Sequence, residues 1–529
     1  MSFAAALILI IHYSLVSVLC LYGAHRVYHS FKAKRFIEKG SSKDNFVSPP
    51  LKAYPHVTVQ APMYNEKFVA ARIIDSIAAF EYPKDKLQIQ VIDDSTDESI
   101  EIAAQRVAHY KSLGYDIVHV RRQNRQGYKA GALADAMPAV KGDFIAIFDA
   151  DFIPNSDFLK KTLPYFSNEK VGLVQTRWTY LNSPRNILTR LQSIMLDAHF
   201  GIEQITRYGM GAFFNFNGTA GIWRKDAITD AGGWRSDTLT EDTDLSYRAQ
   251  MKGWQFIYRP EIHCPSEIPE NMGSFKIQQH RWAKGAIEVM KKLLPAIWKA
   301  DIPRKNKIEA TFHLTGNLSY LLMFIDSLFF LLPAVHIREQ MAPNPLVWLD
   351  LPIFAFASLS HAWFFLSSQT RLYGKMIDKI MIMPALLATS IGLGVNNGRA
   401  VIEALIGHKT GFARTPKSGS KAGLNSLNKS YKANSQNWAN YLEIALGMLY
   451  LGFLIWALQK AYWVVVPFLL IFAIGFFYIG LSTLKERWAR KIQTKAALFS
   501  MPVKSALSHA ESLALGEKCD LAEPIIAAE

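Results

Sequence analysis

Apolar residues along this chain fall into two kinds of block, long runs near both ends and short ones between. Residues 1–25 contain no Asp, Glu, Lys or Arg, and Leu7 to Leu21 is almost wholly apolar. That is just long enough for a spanning helix, which needs about 20 apolar residues. Basic residues follow at Arg26, Lys32, Lys34 and Arg35. Positive charge collects on the cytosolic side of a membrane, so the N-terminus is expected outside and the chain from Arg26 inside. A cleaved signal peptide fits less well, because no basic residue precedes the run. Towards the other end, Phe312–Val335, Leu351–Thr370, Ile444–Gln459 and Ala461–Leu484 read as four more membrane helices, with Asp326 their one formal charge. Met381–Val395 is apolar but short and contains Pro384. If it spanned, the basic segment holding Lys409 to Lys432 would lie outside, so 376–405 is expected to be interfacial or re-entrant.

From residue 55 the pattern changes to alternating strands and helices. His56–Ala61, Leu87–Ile92, Asp116–Val120 and Phe144–Phe148 read as strands. Glu66–Phe80, Glu98–Leu113 and Tyr128–Val140 between them have helical periodicity. Repeated strand–helix–strand units predict an α/β, Rossmann-like domain with a mostly parallel sheet, embedded in an α-helical membrane bundle. The expected organisation is a membrane helix over 1–25, a cytosolic linker over 26–54 and the catalytic domain over 55–300. Two membrane helices over 308–372 follow, then an interfacial helix and basic loop over 376–435. Two more membrane helices over 438–484 and a cytosolic tail over 485–529 complete it.

Composition narrows the class. Lys+Arg 59 against Asp+Glu 44 gives a net charge of +15. No nucleic-acid module accompanies that charge, and basic residues at cytosolic membrane edges account for it, so nucleic acid is excluded as a partner. Three scattered cysteines make neither a disulfide framework nor a Cys-x-x-Cys metal site.

Parallel sheets bind ligands at the carboxyl ends of their strands. There the chain places Asp93-Asp94 and Asp149-x-Asp151, on strands expected to be adjacent. Paired carboxylates repel one another and have no structural reason to end buried strands. Two hard oxygen ligands on one turn suit Mg2+ or Mn2+ beside a diphosphate. No GxxxxGK[ST] loop is present, which argues against P-loop ATP hydrolysis. Downstream lie Thr240-Glu241-Asp242 and Gln278-Gln279-His280-Arg281-Trp282. They supply a second acid cluster, a planar cation for phosphate and an aromatic face for a sugar ring.

In order and spacing these segments resemble the D, DxD, TED, QxxRW signature of processive family 2 glycosyltransferases of the cellulose synthase superfamily. Phe216 to Arg224 and Ala231-Gly232-Gly233-Trp234 most resemble the cellulose-synthase-like A and C branch, which holds mannan and glucan synthases. The resemblance implies a GT-A catalytic domain and inverting transfer. Asp242 would be the catalytic base, and Asp149 and Asp151 would hold the diphosphate and metal. Tyr64, Glu66, and Asp93 or Asp94 would contact the nucleoside, while Lys129 and Arg281 would approach the donor. Glu241, Gln278 and Trp282 would seat the acceptor. Phe412, Arg414, Thr415 and Lys417 partly match the FxVTxK gating loop, with Arg and Pro substituted into it.

The function expected from this is polymerisation of a β-linked glucan, mannan or glucomannan from a cytosolic nucleotide-sugar, UDP-glucose before GDP-mannose, with secretion across the membrane. Expected partners are the donor, the growing glycan and the bilayer, with accessory secretion subunits or a homo-oligomer. The setting is a plasma (inner) or Golgi-type membrane, with the catalytic domain facing the cytosol. Two alternatives are transfer of a single sugar to a membrane lipid, and a nucleotide-sugar-binding transporter or channel. Trp348, Trp363, Trp456 and Trp463 stand either along a sugar path or in interfacial belts.

Overall fold

The computed structural model describes residues 2–43, 53–341, 347–374, 377–411 and 437–499. Its centre is a seven-stranded sheet of β1 (Val57–Met63), β2 (Leu87–Asp93), β3 (Asp116–Arg121), β4 (Phe144–Ile147), β5 (Val171–Tyr180), β6 (Gly221–Arg224) and β7 (Gln255–Ser266). The order is β3-β2-β1-β4-β6-β5-β7. All pairs are parallel except those of β6, which runs antiparallel between β4 and β5. β1 and β2 are buried along their whole length, and their polar side chains pair across the ladder, Thr58 with Gln88 and Gln60 with Gln90. β1 stands between β2 and β4, so the two acidic strand ends flank it and are not neighbours as the sequence suggested.

Four helices among the described residues are long and apolar enough to cross a membrane: Phe3–Phe36, Leu318–Gln340, Trp438–Gln459 and Val466–Ala489. The fifth expected span, around Leu351–Thr370, lies within one continuous helix, Val347–Tyr373. On this helix Ser368 and Gln369 are buried, and Gln369 Nε2 donates to Asp197 Oδ2 at 3.0 Å. Its C-terminal turns thus contact the catalytic domain.

The segment expected at the interface forms two helices, Met383–Gly392 and Gly394–Leu405, broken at Leu393. Leu386, Leu393, Val395 and Val401 are wholly buried, so protein rather than the bilayer surface covers them. Gly392 and Gly475 mark a close helix crossing, where a Cβ on either would strike a backbone carbonyl of the other helix.

Candidate active site

β4 ends at Ile147 and the chain turns at once, Phe152 N–H donating to the Asp149 carbonyl at 3.0 Å. That bend sets Asp149 and Asp151 side by side at the sheet's carboxyl edge. The Asp149 N–H donates to Thr219 Oγ1 at 2.9 Å, fixing the bend to the loop before β6. Lys129 is ion-paired with the Asp149 carboxylate and donates to the Gly218 carbonyl at 2.8 Å. Asp149 and Glu241 hold its ammonium above the usual range although burial pulls the other way. Gly218 has φ 80°, and a Cβ there would lie 3.1 Å from Asp242 Oδ2. Glycine is what lets this loop pass against that carboxylate.

The helix Glu241–Met251 opens with Glu241 and Asp242. Asp242 Oδ1 accepts the Thr243 N–H at 2.7 Å. Burial, and then the negative charge of Glu241, push Asp242 up to about 7, against the opposing pull of Lys129 and Arg281. Glu241 is raised as well, chiefly by burial. Burial lowers the Arg281 guanidinium, while Glu241, Asp149, Asp242 and Asp151 work to keep its charge.

Gln278, Arg281 and Trp282 ride on the helix Met272–Lys299, which the membrane bundle holds firmly. Its first N–H groups, of Met272 and Gly273, donate to the Glu486 carboxylate at 2.6 and 3.0 Å. Lys276, buried in the same turn, pairs with Glu443 at 2.6 Å. Further along, the wholly buried Lys284 reaches Thr410 Oγ1 at 2.8 Å and Glu403 at 3.4 Å.

One cleft of about 190 Å³ gathers Tyr64, Glu66, Asp94, Lys129, Asp149, Asp151, Glu241, Asp242, Gln278, Arg281 and Trp282. Asp93 lies outside it. The Asp93 carboxylate is buried behind the sheet edge and accepts from His119 Nε2 (2.9 Å), Arg121 Nη1 (3.2 Å) and the Ser95 N–H (2.8 Å). Burial raises its pKa, but the His119 and Ser95 hydrogen bonds outweigh this and hold it below the usual range. Asp93 is thus engaged by partners within the protein. Asp94 reaches the cleft already paired with Arg122, which also holds Asp135 at 3.0 Å. The four gating-like residues Phe412, Arg414, Thr415 and Lys417 lie outside the described residues.

Sequence reasoning missed Arg125, which lines the cleft with its guanidinium carbon 3.4 Å from the Tyr64 ring centroid. The signal was its position two residues before Gly127-Tyr128-Lys129. The residues present fit a divalent cation. Asp149, Asp151, Glu241 and Asp242 put four carboxylates against Lys129 and Arg281, and two of them share one bend. Such an excess of hard oxygen donors is what Mg2+ or Mn2+ takes.

A second cavity, of about 480 Å³, begins where the cleft ends. Trp282, Asp242, Gln278, Asn217 and Trp178 border both. From there it runs into the bundle past Tyr22, Phe312, Tyr320 and Phe354 to Asp326 and Phe472. Asp326 is paired with His12 of the first helix at 2.7 Å. Trp363, Trp456 and Trp463 are not in its wall; Trp363 and Trp463 face outwards.

Comparison with known proteins agrees with this architecture. Residues 55–285 match the family described as glycosyltransferase like family 2. The probable glucomannan 4-beta-mannosyltransferase 4 of Oryza sativa subsp. japonica is 46% identical over 252 residues, 47% of this chain and 46% of that one. The glucomannan 4-beta-mannosyltransferase 9 of Arabidopsis thaliana is 35% identical over 410 residues, 75% of this chain and 74% of its own length. For the rice relatives the matched part is about half of their length. Among solved structures, a mannosyltransferase of Pyrobaculum calidifontis in complex with GDP-Man and Mn2+ is similar over 69% of this chain and 99% of its own, at 20% identity and a TM-score of 0.48. The chain belongs to the family 2 glycosyltransferases of the cellulose synthase superfamily, in the cellulose-synthase-like branch of the glucomannan 4-beta-mannosyltransferases.

Proposed function

We propose that this chain polymerises a β-linked mannan or glucomannan from cytosolic GDP-mannose by inverting, metal-assisted transfer, and passes the product into the membrane bundle. The observation that carries the reading is the shared wall between cleft and cavity, made by Asp242, Gln278 and Trp282. A glycan end stacked on Trp282 presents its hydroxyl to the donor on one side and lies in the cavity on the other. UDP-glucose, expected first from the sequence, gives way to GDP-mannose because the curated relatives are named for mannosyl transfer.

In this mechanism the acceptor oxygen attacks the anomeric carbon, the bond from that carbon to the diphosphate oxygen breaks, and the acceptor proton passes to an Asp242 oxygen. A base whose pKa lies near 7 is matched to transfer at neutral pH. Trp282 and Gln278 hold the acceptor in line, so the step needs little further ordering. Arg281 balances negative charge on the departing diphosphate. Lys129 sits between Asp149 and the Gly218 carbonyl, where it fixes the carboxylate bend. Asp149 and Asp151 would hold Mg2+ or Mn2+, which supplies further charge neutralisation to the leaving group. Tyr64, under Arg125, forms a stacking surface on the donor's nucleoside side.

The test is purified protein in nanodiscs with radiolabelled GDP-mannose or UDP-glucose, with and without Mn2+, beside Asp242→Asn. Alcohol-insoluble, mannanase-sensitive polymer from GDP-mannose, lost in the variant, is the expected result. Label confined to solvent-extractable lipid would establish single-sugar transfer instead. Binding of donor with no transfer to either fraction would leave a nucleotide-sugar carrier.

A further inference from the structure

A cluster of metal-ligating side chains lies away from the cleft, where the helix Phe3–Lys43 meets Arg304–Thr315. His25 and His29 are one turn apart on the first helix, so both rings project from one face. Glu309 on the second helix faces them. His25 Nε2 lies 3.2 Å from each Glu309 oxygen and His29 Nε2 lies 3.0 Å from Oε2. The two rings are 4.1 Å apart, and His25 stacks on Phe312 at 4.1 Å and 6°. His29 and Glu309 are buried, whereas His25 opens onto the membrane cavity, which gives solutes a way in.

Imidazole–carboxylate hydrogen bonds alone would hold these helices together, but the spacing serves a metal equally well. Two ligand atoms each about 2.1 Å from a tetrahedral zinc ion stand about 3.4 Å apart. The nitrogen–oxygen separations of 3.0–3.2 Å need to widen by only a few tenths of an ångström to admit one. Two neutral imidazoles and a carboxylate form the three-ligand set of an open zinc site, with a fourth position for water from the cavity. The nearby cation Arg207 has its own counter-charge in Glu203, 3.6 Å away, so Glu309 remains to face the ion. We propose that His25, His29 and Glu309 bind a zinc-class divalent cation that fastens the N-terminal helix to Arg304–Thr315 at the mouth of the cavity. Its nitrogen donors set it apart from the oxygen-only Asp149–Asp151 bend, and it stands whatever the donor or product.

The experiment uses the full chain with a histidine-free affinity tag, in an Asp151→Asn background that weakens the cleft's own cation site. Protein stripped with chelator is equilibrated with micromolar Zn2+, desalted and measured by elemental mass spectrometry; Co2+ serves as the optical probe. We expect about one retained zinc per chain and the visible bands of tetrahedral Co2+, both lost in His25→Ala/His29→Ala. His25→Phe keeps the stack on Phe312 while removing one ligand, and should lower retention at least tenfold with the same gel-filtration profile. No stoichiometric zinc in the parent, or equal zinc in both variants, would overturn the site and leave a hydrogen-bonded clamp. Neither result bears on polymerisation, which is assayed separately in the Asp151-intact chain.

Discussion

Replacing Glu241 by Gln tests whether Asp242 is the base and whether its neighbour tunes it. Asp242 is raised from 3.8 to about 7, by burial first and Glu241 second. Removing the neighbour's charge at nearly constant shape leaves the burial and takes away the repulsion. The Asp242 pKa should then fall by roughly one unit, equivalent to about 1.4 kcal/mol. The sign follows from the role: a base works deprotonated, so kcat/KM rises with pH through the Asp242 pKa. Plotted between pH 5 and 9 with labelled GDP-mannose, the parent's acidic limb should have its midpoint near 7. That of Glu241→Gln should lie near pH 6, so the variant keeps a larger share of its plateau rate on acidification. The plateau itself will drop if Glu241 also seats the acceptor, which does not affect the midpoint. An unmoved or upward-shifted limb would refute the assignment, because Glu241 is the charge that does most to raise Asp242.

Three further outcomes follow from the same geometry. Asp242→Asn should raise the apo Tm at pH 8, since a carboxyl with a raised folded pKa costs nothing below 3.8 and its full penalty, at most about 4 kcal/mol, above 7; the gain should fade as pH drops towards 4 in differential scanning fluorimetry. Asp93→Asn should lower Tm by the equivalent of about 1–3 kcal/mol while leaving donor KM within about twofold, because it puts an amide NH2 where an acceptor oxygen faced His119 and Arg121 and removes the buried charge, without touching the cleft; a large KM change with unchanged Tm would return Asp93 to the nucleoside. Trp282→Ala should shorten the polymer more than it slows donor hydrolysis, read by chain-length analysis beside released GDP, because it removes the acceptor's stacking face and leaves the carboxylates in place.

What the sequence made legible, and what it hid, divides along a physical line. Strands and helices of the sheet could be read from the period of their apolar residues, and β1 and β2 are buried at every position. The cleft's residues could be singled out because carboxylates at strand ends have no packing motive. Which of two successive carboxylates enters the cleft could not. Side chains alternate along a strand, so Asp93, the last residue of β2, and Asp94, the next, point to opposite sides, and one residue of register decides between structure and site. Arg125 escaped for a different reason: it lies in a loop whose value comes only from stacking on Tyr64, 61 positions earlier in the chain. Two segments of the membrane part also serve the catalytic domain or its neighbouring helix. Val347–Tyr373 gives Gln369 to a carboxylate of the catalytic domain. Met383–Leu405 is short and glycine-bearing because it packs between Met272–Lys299 and the last helix, where Gly392 and Gly475 must nearly touch. Both segments lie at the seam between catalytic domain and bundle, and the helix bearing Gln278, Arg281 and Trp282 is pinned along that same seam by Glu486, Glu443 and Glu403. Under the proposed function the acceptor platform has to stay at the cavity mouth, and buried charge pairs between the two parts hold it there.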